Sequence, residues 1–255
     1  MSRDFAEELY TKGYAVVHDV VDKEFITKCK RELLAAIEED AKWHGTENYD
    51  DFAQVLVCAK YGGTFVDIFD NPKVMAPVNA VLGKGSIVYG YTSSSIPPGR
   101  KNAGGRIHRD CPRYIPGYMT NVGVIVMLDD FTEENGATWY LPGSETGPEL
   151  PSEEEFYANA QRMVGPAGSA FYFNARVCHA GGVNTTQEWR HAITINMCRP
   201  WMKQRLDVPR IMSDVDLSGV SETAQQKLGF HAQVPASYEE FHAPPEKRKF
   251  KQKPE

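Results

Sequence analysis

The sequence lacks the long apolar stretches that mark exported or membrane-spanning proteins. No apolar run approaches the roughly 18 residues of a membrane helix, and the N-terminus, MSRDFAEELYTKGYAVV, has no apolar core of signal-peptide length. We therefore expect no membrane span, no export and a cytoplasmic location. The five cysteines are odd in number, scattered and without a CxxC pair. That usage argues against a disulfide or structural zinc framework and agrees with a reducing compartment.

The sequence also lacks an excess of positive charge and any internal repeat. Lys and Arg total 28 against 34 Asp and Glu, for a formal net charge of −6. Without a global basic field, nucleic acid is not an expected partner. The 255 residues, 42% of them hydrophobic, are enough for one large soluble domain with a sizeable core.

The chain changes character near residue 86. We predict a single domain over 1–255, with a helical N-terminal segment over about 1–85, a β core over about 86–200 and an irregular tail over about 201–255. In the first segment, Asp22 is a plausible N-cap for a long helix over 23–40. The stretch 4–12 predicts a shorter helix that Gly13 ends, and 14–21 predicts a buried strand. Two short helices follow, separated at Pro72.

Short segments rich in β-branched and aromatic residues dominate the middle of the chain. Many short strands without alternating helices predict an antiparallel sandwich or barrel. One helix is predicted within 151–165 and another near 221–228. The predicted strands are 86–96, 117–128, 137–144, 169–174, 177–183 and 191–200.

The stretch GGRIHRDCPRY contains the first candidate metal ligands, His108 and Asp110. In an extended segment, alternation puts both on one face, with Arg109 on the other. His179 is the best candidate for a third ligand. Two histidines and one carboxylate on one face of a metal leave positions open, as in non-heme Fe(II) oxygenases. Each piece alone has a simpler explanation, since HxD is common by chance and an isolated histidine is usually structural.

Arg190 strengthens the combination. It lies eleven residues after His179, at the start of an otherwise apolar predicted strand. A buried guanidinium there needs an anion, and its fork matches a carboxylate. A cosubstrate with a distal carboxylate, such as 2-oxoglutarate, would supply that anion.

These residues resemble the phytanoyl-CoA dioxygenase family of Fe(II)/2-oxoglutarate oxygenases. The resemblance rests on HRD, the later His179 and Arg190, and on MLDDFTEENGATWYLPGSE, the PPG at 97–99 and the opening YTKGYAVVHDVVDKEFI, and it runs from about residue 5 to 200. It implies a mainly β protein with α-helices, specifically a double-stranded β-helix (a distorted, cupin-like jelly roll) flanked by N-terminal helices. It also implies that His108, Asp110 and His179 bind Fe(II), and that Arg190 anchors 2-oxoglutarate.

The resemblance further implies polar groups on the strands beside the HxD loop. Tyr91 and Asn121 are the candidates for additional cosubstrate contacts, although a core aromatic residue and a strand-end polar residue explain them equally well. The chain departs from the family pattern at Glu145, where a histidine is usual, and at Gly181, where some relatives have serine. Asp110 is retained, whereas halogenating relatives have glycine or alanine at that position.

The expected function is therefore a non-heme Fe(II)/2-oxoglutarate-dependent dioxygenase. It would use O2 to oxidise, and most simply hydroxylate, a C–H bond of a small polar metabolite or biosynthetic intermediate, releasing succinate and CO2. Arg100, Arg106 and Arg113 predict a substrate with a carboxylate, a phosphate or several hydroxyls. The sequence does not define the oligomeric state.

Two other classes stay open at this point. One is a non-catalytic jelly-roll ligand-binding module, against which the intact set of candidate ligands argues. The other is a cupin-like metalloenzyme that does not use 2-oxoglutarate, which has no need of a buried arginine at position 190.

Overall fold

The structure is a computed structural model that describes residues 4–44, 53–101 and 103–248. The basic end of the chain, beyond 248, lies outside the described residues. The helices are α1 (Phe5–Lys12), α2 (Lys23–His44), α3 (Thr64–Asp67), α4 (Pro72–Leu82), α5 (Glu153–Asn159), α6 (Val208–Ile211), α7 (Glu222–Leu228) and α8 (Tyr238–Phe241). The strands are β1 (Tyr14–Val17), β2 (Ile87–Ile96), β3 (Asn121–Met127), β4 (Trp139–Leu141), β5 (Gln161–Arg162), β6 (Ala170–Asn174), β7 (Cys178–Ala180) and β8 (Arg190–Cys198). Short 3-10 helices cover Cys58–Tyr61, Ile68–Asp70, Ala103–Gly105, Ser144–Thr146 and Pro245–Lys247.

The strands form two antiparallel sheets. The larger has five strands in the order β1-β6-β3-β8-β2, and the smaller has three in the order β5-β4-β7. Non-consecutive strands are therefore neighbours throughout, as in a jelly roll, and neither sheet closes on itself. This arrangement confirms the predicted double-stranded β-helix with flanking helices.

Two apolar clusters divide the core between the faces of the larger sheet. On one face, side chains of β3 and β8 such as Val124 and Ile195 pack with the N-terminal helices. On the other face, Ile125 and Ala192 belong to a cluster that also contains Tyr140 of the smaller sheet. We call this second face the inner face. The helix-side cluster contains residues from α1 to α7. The assignment of the whole chain to one domain stays a prediction.

Local signals explain where several elements begin and end. The Asp4 side chain accepts a hydrogen bond from the Glu7 backbone at the start of α1, and Gly13 ends the helix with φ 79°. Pro72 opens α4 at its first position, where no backbone N–H is needed. The predicted strand 137–144 shortens to β4 because Pro142 has no N–H and Gly143 adopts φ 81°.

A β-bulge in β2 changes which of its side chains point to the inner face of the larger sheet. The pairing with β8 shifts between Val88 and Gly90, so Tyr89 is an extra residue on that strand. At Tyr89 the side chains of β2 therefore do not alternate regularly between the two faces of the sheet.

No helix within the described ranges is both long and apolar enough to cross a bilayer.

Candidate metal site

His108, Asp110 and His179 come together in the structure. Each offers one ligand atom, and the three atoms lie within 4.8 Å of one another. The Oδ1 atom of Asp110 is 3.6 Å from Nε2 of His108 and 3.9 Å from Nε2 of His179. His179 is 8% exposed, whereas the other two are half-buried. Two imidazole nitrogens and one carboxylate oxygen therefore converge on one point from one side.

The backbone fixes this convergence. His108 forms an isolated antiparallel bridge with His179, through two N–H···O hydrogen bonds of 3.0 Å each. The segment 107–110 therefore attaches to β7 at the edge of the smaller sheet. It forms this single bridge rather than a regular strand.

Hydrogen bonds also select the ring form of both histidines. Nδ1 of His108 is 2.7 Å from the carbonyl of Arg106, and Nδ1 of His179 is 3.0 Å from that of Val177. A carbonyl only accepts, so each Nδ1 carries the proton and each Nε2 keeps a free lone pair. Metal-binding histidines are commonly oriented in this way.

Burial favours the neutral form of His179. Desolvation lowers the pKa of its imidazole; the Asp110 carboxylate opposes that effect, and His108 adds to it. A neutral imidazole is the form that donates a lone pair to a metal.

Two arginines that the sequence analysis did not assign brace the ligand segments. Arg109 turns away from the ligands and donates to the carbonyls of Ser144, Pro148 and Glu149. Arg176 donates to the carbonyls of Pro112, Glu145 and Gly147. Both thus hold the loop 144–149, whose Ser144 hydroxyl also accepts from the Cys178 backbone at 2.8 Å. The acceptors of these hydrogen bonds are backbone carbonyls of a loop, which any residue type can supply. The sequence therefore contains no signal for these contacts of Arg109 and Arg176.

Arg190 begins β8 and is 2% exposed. In the described part of the chain its guanidinium makes one hydrogen bond, to the Gly136 carbonyl at 3.2 Å, and its Nε has no partner. The guanidinium carbon lies 4.2 Å from the ring centroid of Phe131. Burial lowers the Arg190 pKa to about 9, with Asp129 opposing the shift. Such a buried cation, with one donor unused, fits an anionic ligand.

Arg190 is connected to the region of His179 through two close-packed glycines. Gly136, whose carbonyl accepts from Arg190, has φ 83° and lies so near the segment 182–184 that a Cβ there would be 3.0 Å from the Gly182 carbonyl. Gly182 follows His179 by three residues. Arg190 and His179 therefore lie close to two chain segments that pack against each other at Gly136 and Gly182.

Tyr91 does not face the candidate ligands, which corrects the expectation from sequence. It lies in the helix-side cluster, and its ring packs edge-on against Phe69 at 5.4 Å between centroids. Gly90 is opposite Asn196 on the inner face, and adjacent strand residues point to opposite faces, so Tyr91 points to the helix side. Tyr91 is a core aromatic residue.

Asn121 lies on the inner face, but far from Arg190 along the sheet. It pairs with Cys198 at the end of β8, whereas Arg190 is the first residue of that strand. Eight residues at about 3.3 Å each separate the two levels by roughly 26 Å. Asn121 therefore does not adjoin Arg190 directly, and its expected contact with the cosubstrate stays a prediction.

The three basic residues expected near the substrate, Arg100, Arg106 and Arg113, are exposed at the surface. Their position does not by itself select a ligand.

Fold and donor set together define the class of cupin-like β-helix proteins with a histidine–carboxylate site. Comparison with known proteins narrows that class. The sequence matches the family model of phytanoyl-CoA dioxygenase (PhyH) over residues 9–192. The chain therefore belongs to the phytanoyl-CoA dioxygenase family.

Curated relatives include one uncharacterized protein that matches along most of its length and two proteins that are named dioxygenases. An uncharacterized protein of Mycobacterium tuberculosis is 30% identical over 250 residues, covering 94% of this chain and 90% of that one. A dioxygenase of Gibberella moniliformis, FUM3, is 29% identical over 64% of this chain and 53% of its own length. A dioxygenase of Alternaria alternata, ALT11, is 29% identical over 51% of this chain and 44% of its own.

Solved structures confirm the fold. A non-heme monooxygenase, ThoJ in complex with nickel, superposes with a TM-score of 0.64 at 20% identity and covers 80% of each chain. HygX from Streptomyces hygroscopicus, solved with nickel and 2-oxoglutarate bound, gives a TM-score of 0.62 at 13% identity and covers 82% of this chain and 91% of its own. At these identities the likeness extends to the fold alone.

Proposed function

We propose that this protein is an Fe(II)/2-oxoglutarate-dependent dioxygenase. It uses O2 to hydroxylate a C–H bond of a small polar metabolite or biosynthetic intermediate, and it releases succinate and CO2. The observation that carries the proposal is the pairing of the His108–Asp110–His179 cluster with the buried, unpaired guanidinium of Arg190. Membership of the family and the named dioxygenase relatives support the same chemistry.

The donor set fits a divalent metal. Two neutral imidazoles and one carboxylate, all offered from one side, would hold the ion and leave its other positions for small ligands. The bound ion and 2-oxoglutarate would supply the oxidising chemistry for which protein side chains alone have no group. The carbonyls of Arg106 and Val177 keep both histidines in the ligating form.

Arg190 would hold the distal carboxylate of 2-oxoglutarate. Its unused Nε–H and its place between Phe131 and the Gly136 carbonyl suit a bidentate pair in a site from which water is excluded. The ring of Phe131 covers one side of the guanidinium. A metalloenzyme without this cosubstrate would leave the same cation buried and unpaired, at a cost in stability.

An anaerobic Fe(II) titration with and without 2-oxoglutarate tests the proposal. We expect a weak visible charge-transfer band that requires both components, and succinate formation after O2 is admitted. A band that forms equally well in Arg190→Leu would contradict the assigned anchor. Failure of the wild type to bind Fe(II) would favour a non-catalytic binding module.

A further inference from the structure

The inner face of the larger sheet has a polar end that the proposed metal and cosubstrate contacts do not use. Residues that pair across neighbouring strands point to the same face of the sheet. Ile125 belongs to the inner-face cluster, so the residues paired with it also lie on the inner face. Ile125 pairs with Thr194, and Thr194 pairs with Thr92. In the next inner-face row, Asn196 pairs with Gly90 on one side and Gly123 on the other. Thr92 and Thr194 are partly exposed although they lie in mid-strand.

Asn196 and Asn121 form a side-chain pair in this region. Nδ2 of Asn121 donates to Oδ1 of Asn196 at 3.0 Å, and both residues are at least nine-tenths buried. Oδ1 of Asn121 is buried and has no hydrogen-bond partner among the described residues. Asn196 accepts this bond through Oδ1, and its Nδ2 donates no hydrogen bond within the described residues, so its amide donors are left for another group. The pair therefore offers one acceptor and one donor side by side.

The two glycines that flank Asn196 differ in one respect. A Cβ on Gly123 would collide with the Phe173 ring, at 2.3 Å from Cζ, so that space is filled. A Cβ on Gly90 would meet no atom within 4 Å. The side of Asn196 toward Gly90 is thus open.

The opposite, filled side of Asn196 adjoins the candidate metal site. Phe173, whose ring covers Gly123, packs edge-on against the imidazole of His179 with 5.0 Å between ring centroids. The backbone of Asn121 accepts from Ala175, and the Ala175 carbonyl accepts from Cys111, which directly follows Asp110. A group seated beside Gly90 would therefore be separated from Phe173 and His179 by Asn196, away from the metal ligands themselves.

We propose that the Asn121–Asn196 pair recognises a neutral hydroxyl group of the substrate. A hydroxyl both donates and accepts, as the free Oδ1 of Asn121 and the free amide of Asn196 require. The inner-face side chains of the adjoining row, Thr92 and Thr194, are hydroxylic and carry no charge. Among the described residues, these two inner-face rows contain no cation that would pair with an anionic group. The inference rests on the proposed function, since it assigns the substrate of the same site.

Nuclear magnetic resonance on 15N-labelled protein loaded with Zn(II) and 2-oxoglutarate tests the proposal. Zn(II) is diamagnetic and supports no turnover, so binding is read without activity. The neutral probes are myo-inositol and methyl glucoside at millimolar concentration, and the anionic probes are gluconate and glucose 6-phosphate. The side-chain amide signals of Asn121 and Asn196 are assigned by their loss in Asn121→Asp and Asn196→Asp.

We expect the neutral probes to shift both amide signals and the added charge of the anionic probes to bring no tighter binding. Gly90→Val fills the open space and should weaken the neutral probes about tenfold or more, as expected when a buried hydrogen bond is lost. Gly219→Ala is the matched control, because its Cβ also meets no atom within 4 Å and it lies outside both sheets. Thermal midpoints near the wild-type value show that the variants fold.

Three outcomes would overturn the proposal: unshifted Asn signals with every neutral probe, equal binding to Gly90→Val and wild type, or a clear preference for the anions. Each of these is read on protein that has bound Zn(II) and 2-oxoglutarate. Failure of the wild type to bind those two components would instead contradict the proposed function.

Discussion

His108 and His179 hold each other in place through their backbones. Each N–H donates to the carbonyl of the other at 3.0 Å, and their ring centroids lie 4.2 Å apart. The two residues are 71 positions apart in sequence, so the bridge joins the HRD segment to the strand that follows the β6–β7 corner. A metal that bound both rings would therefore clamp two distant parts of the chain.

Removal of any ligand should abolish tight metal binding without loss of the fold. We expect His108→Ala, Asp110→Ala and His179→Ala each to weaken Fe(II) by more than the roughly 10–100-fold that loss of an outer hydrogen-bond partner costs. Anaerobic calorimetry measures the affinity, and circular dichroism checks the fold. His242→Ala, at an exposed histidine far along the chain, serves as the control. A variant with wild-type affinity would remove that residue from the set.

Arg190→Leu should weaken 2-oxoglutarate and spare the metal. Loss of a charge-assisted carboxylate pair costs roughly 2–5 kcal/mol, much of it from the anion left unpaired. That corresponds to about 30-fold or more in affinity. Titration of the Fe(II) protein with 2-oxoglutarate measures the change, with the exposed Arg210→Leu as control. If the affinities of variant and wild type agree, the anchor lies elsewhere.

Much of the candidate site was predictable because it depends on short-range pattern. The HxD spacing, a third histidine and an arginine at a strand start were sufficient to select the four residues. Alternation alone does not say which face of a strand is the inner one, so the sequence could not show that Tyr91 joins the helix-side cluster. For Asn121 the sequence indicates the face of the sheet but not the position along the neighbouring strand, so its distance of eight strand residues from Arg190 could not be predicted.

The order of helices and strands was also predictable, but their lengths were less so. The predicted strand 177–183 shortens to Cys178–Ala180 because the Gly181 backbone donates to Gly104 instead of to a strand partner. Such loop-to-strand contacts depend on residues far away in sequence. The same holds for the brace that Arg109 and Arg176 form on the loop 144–149.

Gly123→Ala should lower the free energy of unfolding by overpacking the inner face of the larger sheet. The ideal position of a Cβ is 2.3 Å from the Phe173 ring, so the ring or the strand must move. Overpacking of this kind costs about 1–3 kcal/mol. Urea denaturation measures the free energy of unfolding, and Gly90→Ala is the matched control because its Cβ meets nothing within 4 Å. The double variant Gly123→Ala/Phe173→Leu should recover part of the loss; if it does not, the steric explanation fails.

Lys227 should make stability rise with pH above neutrality. It is 1% exposed, its ammonium donates to Asn79, Lys84 and Ser86, and burial lowers its pKa from 10.5 to about 8. Between those two values the unfolded chain holds the proton and the folded chain does not, so unfolding becomes harder as pH increases. Between pH 7 and 9 the wild type should gain about 1 kcal/mol relative to Lys227→Met. Paired urea curves at the two pH values measure the difference. The cause would not be Lys227 if wild type and variant followed the same pH dependence.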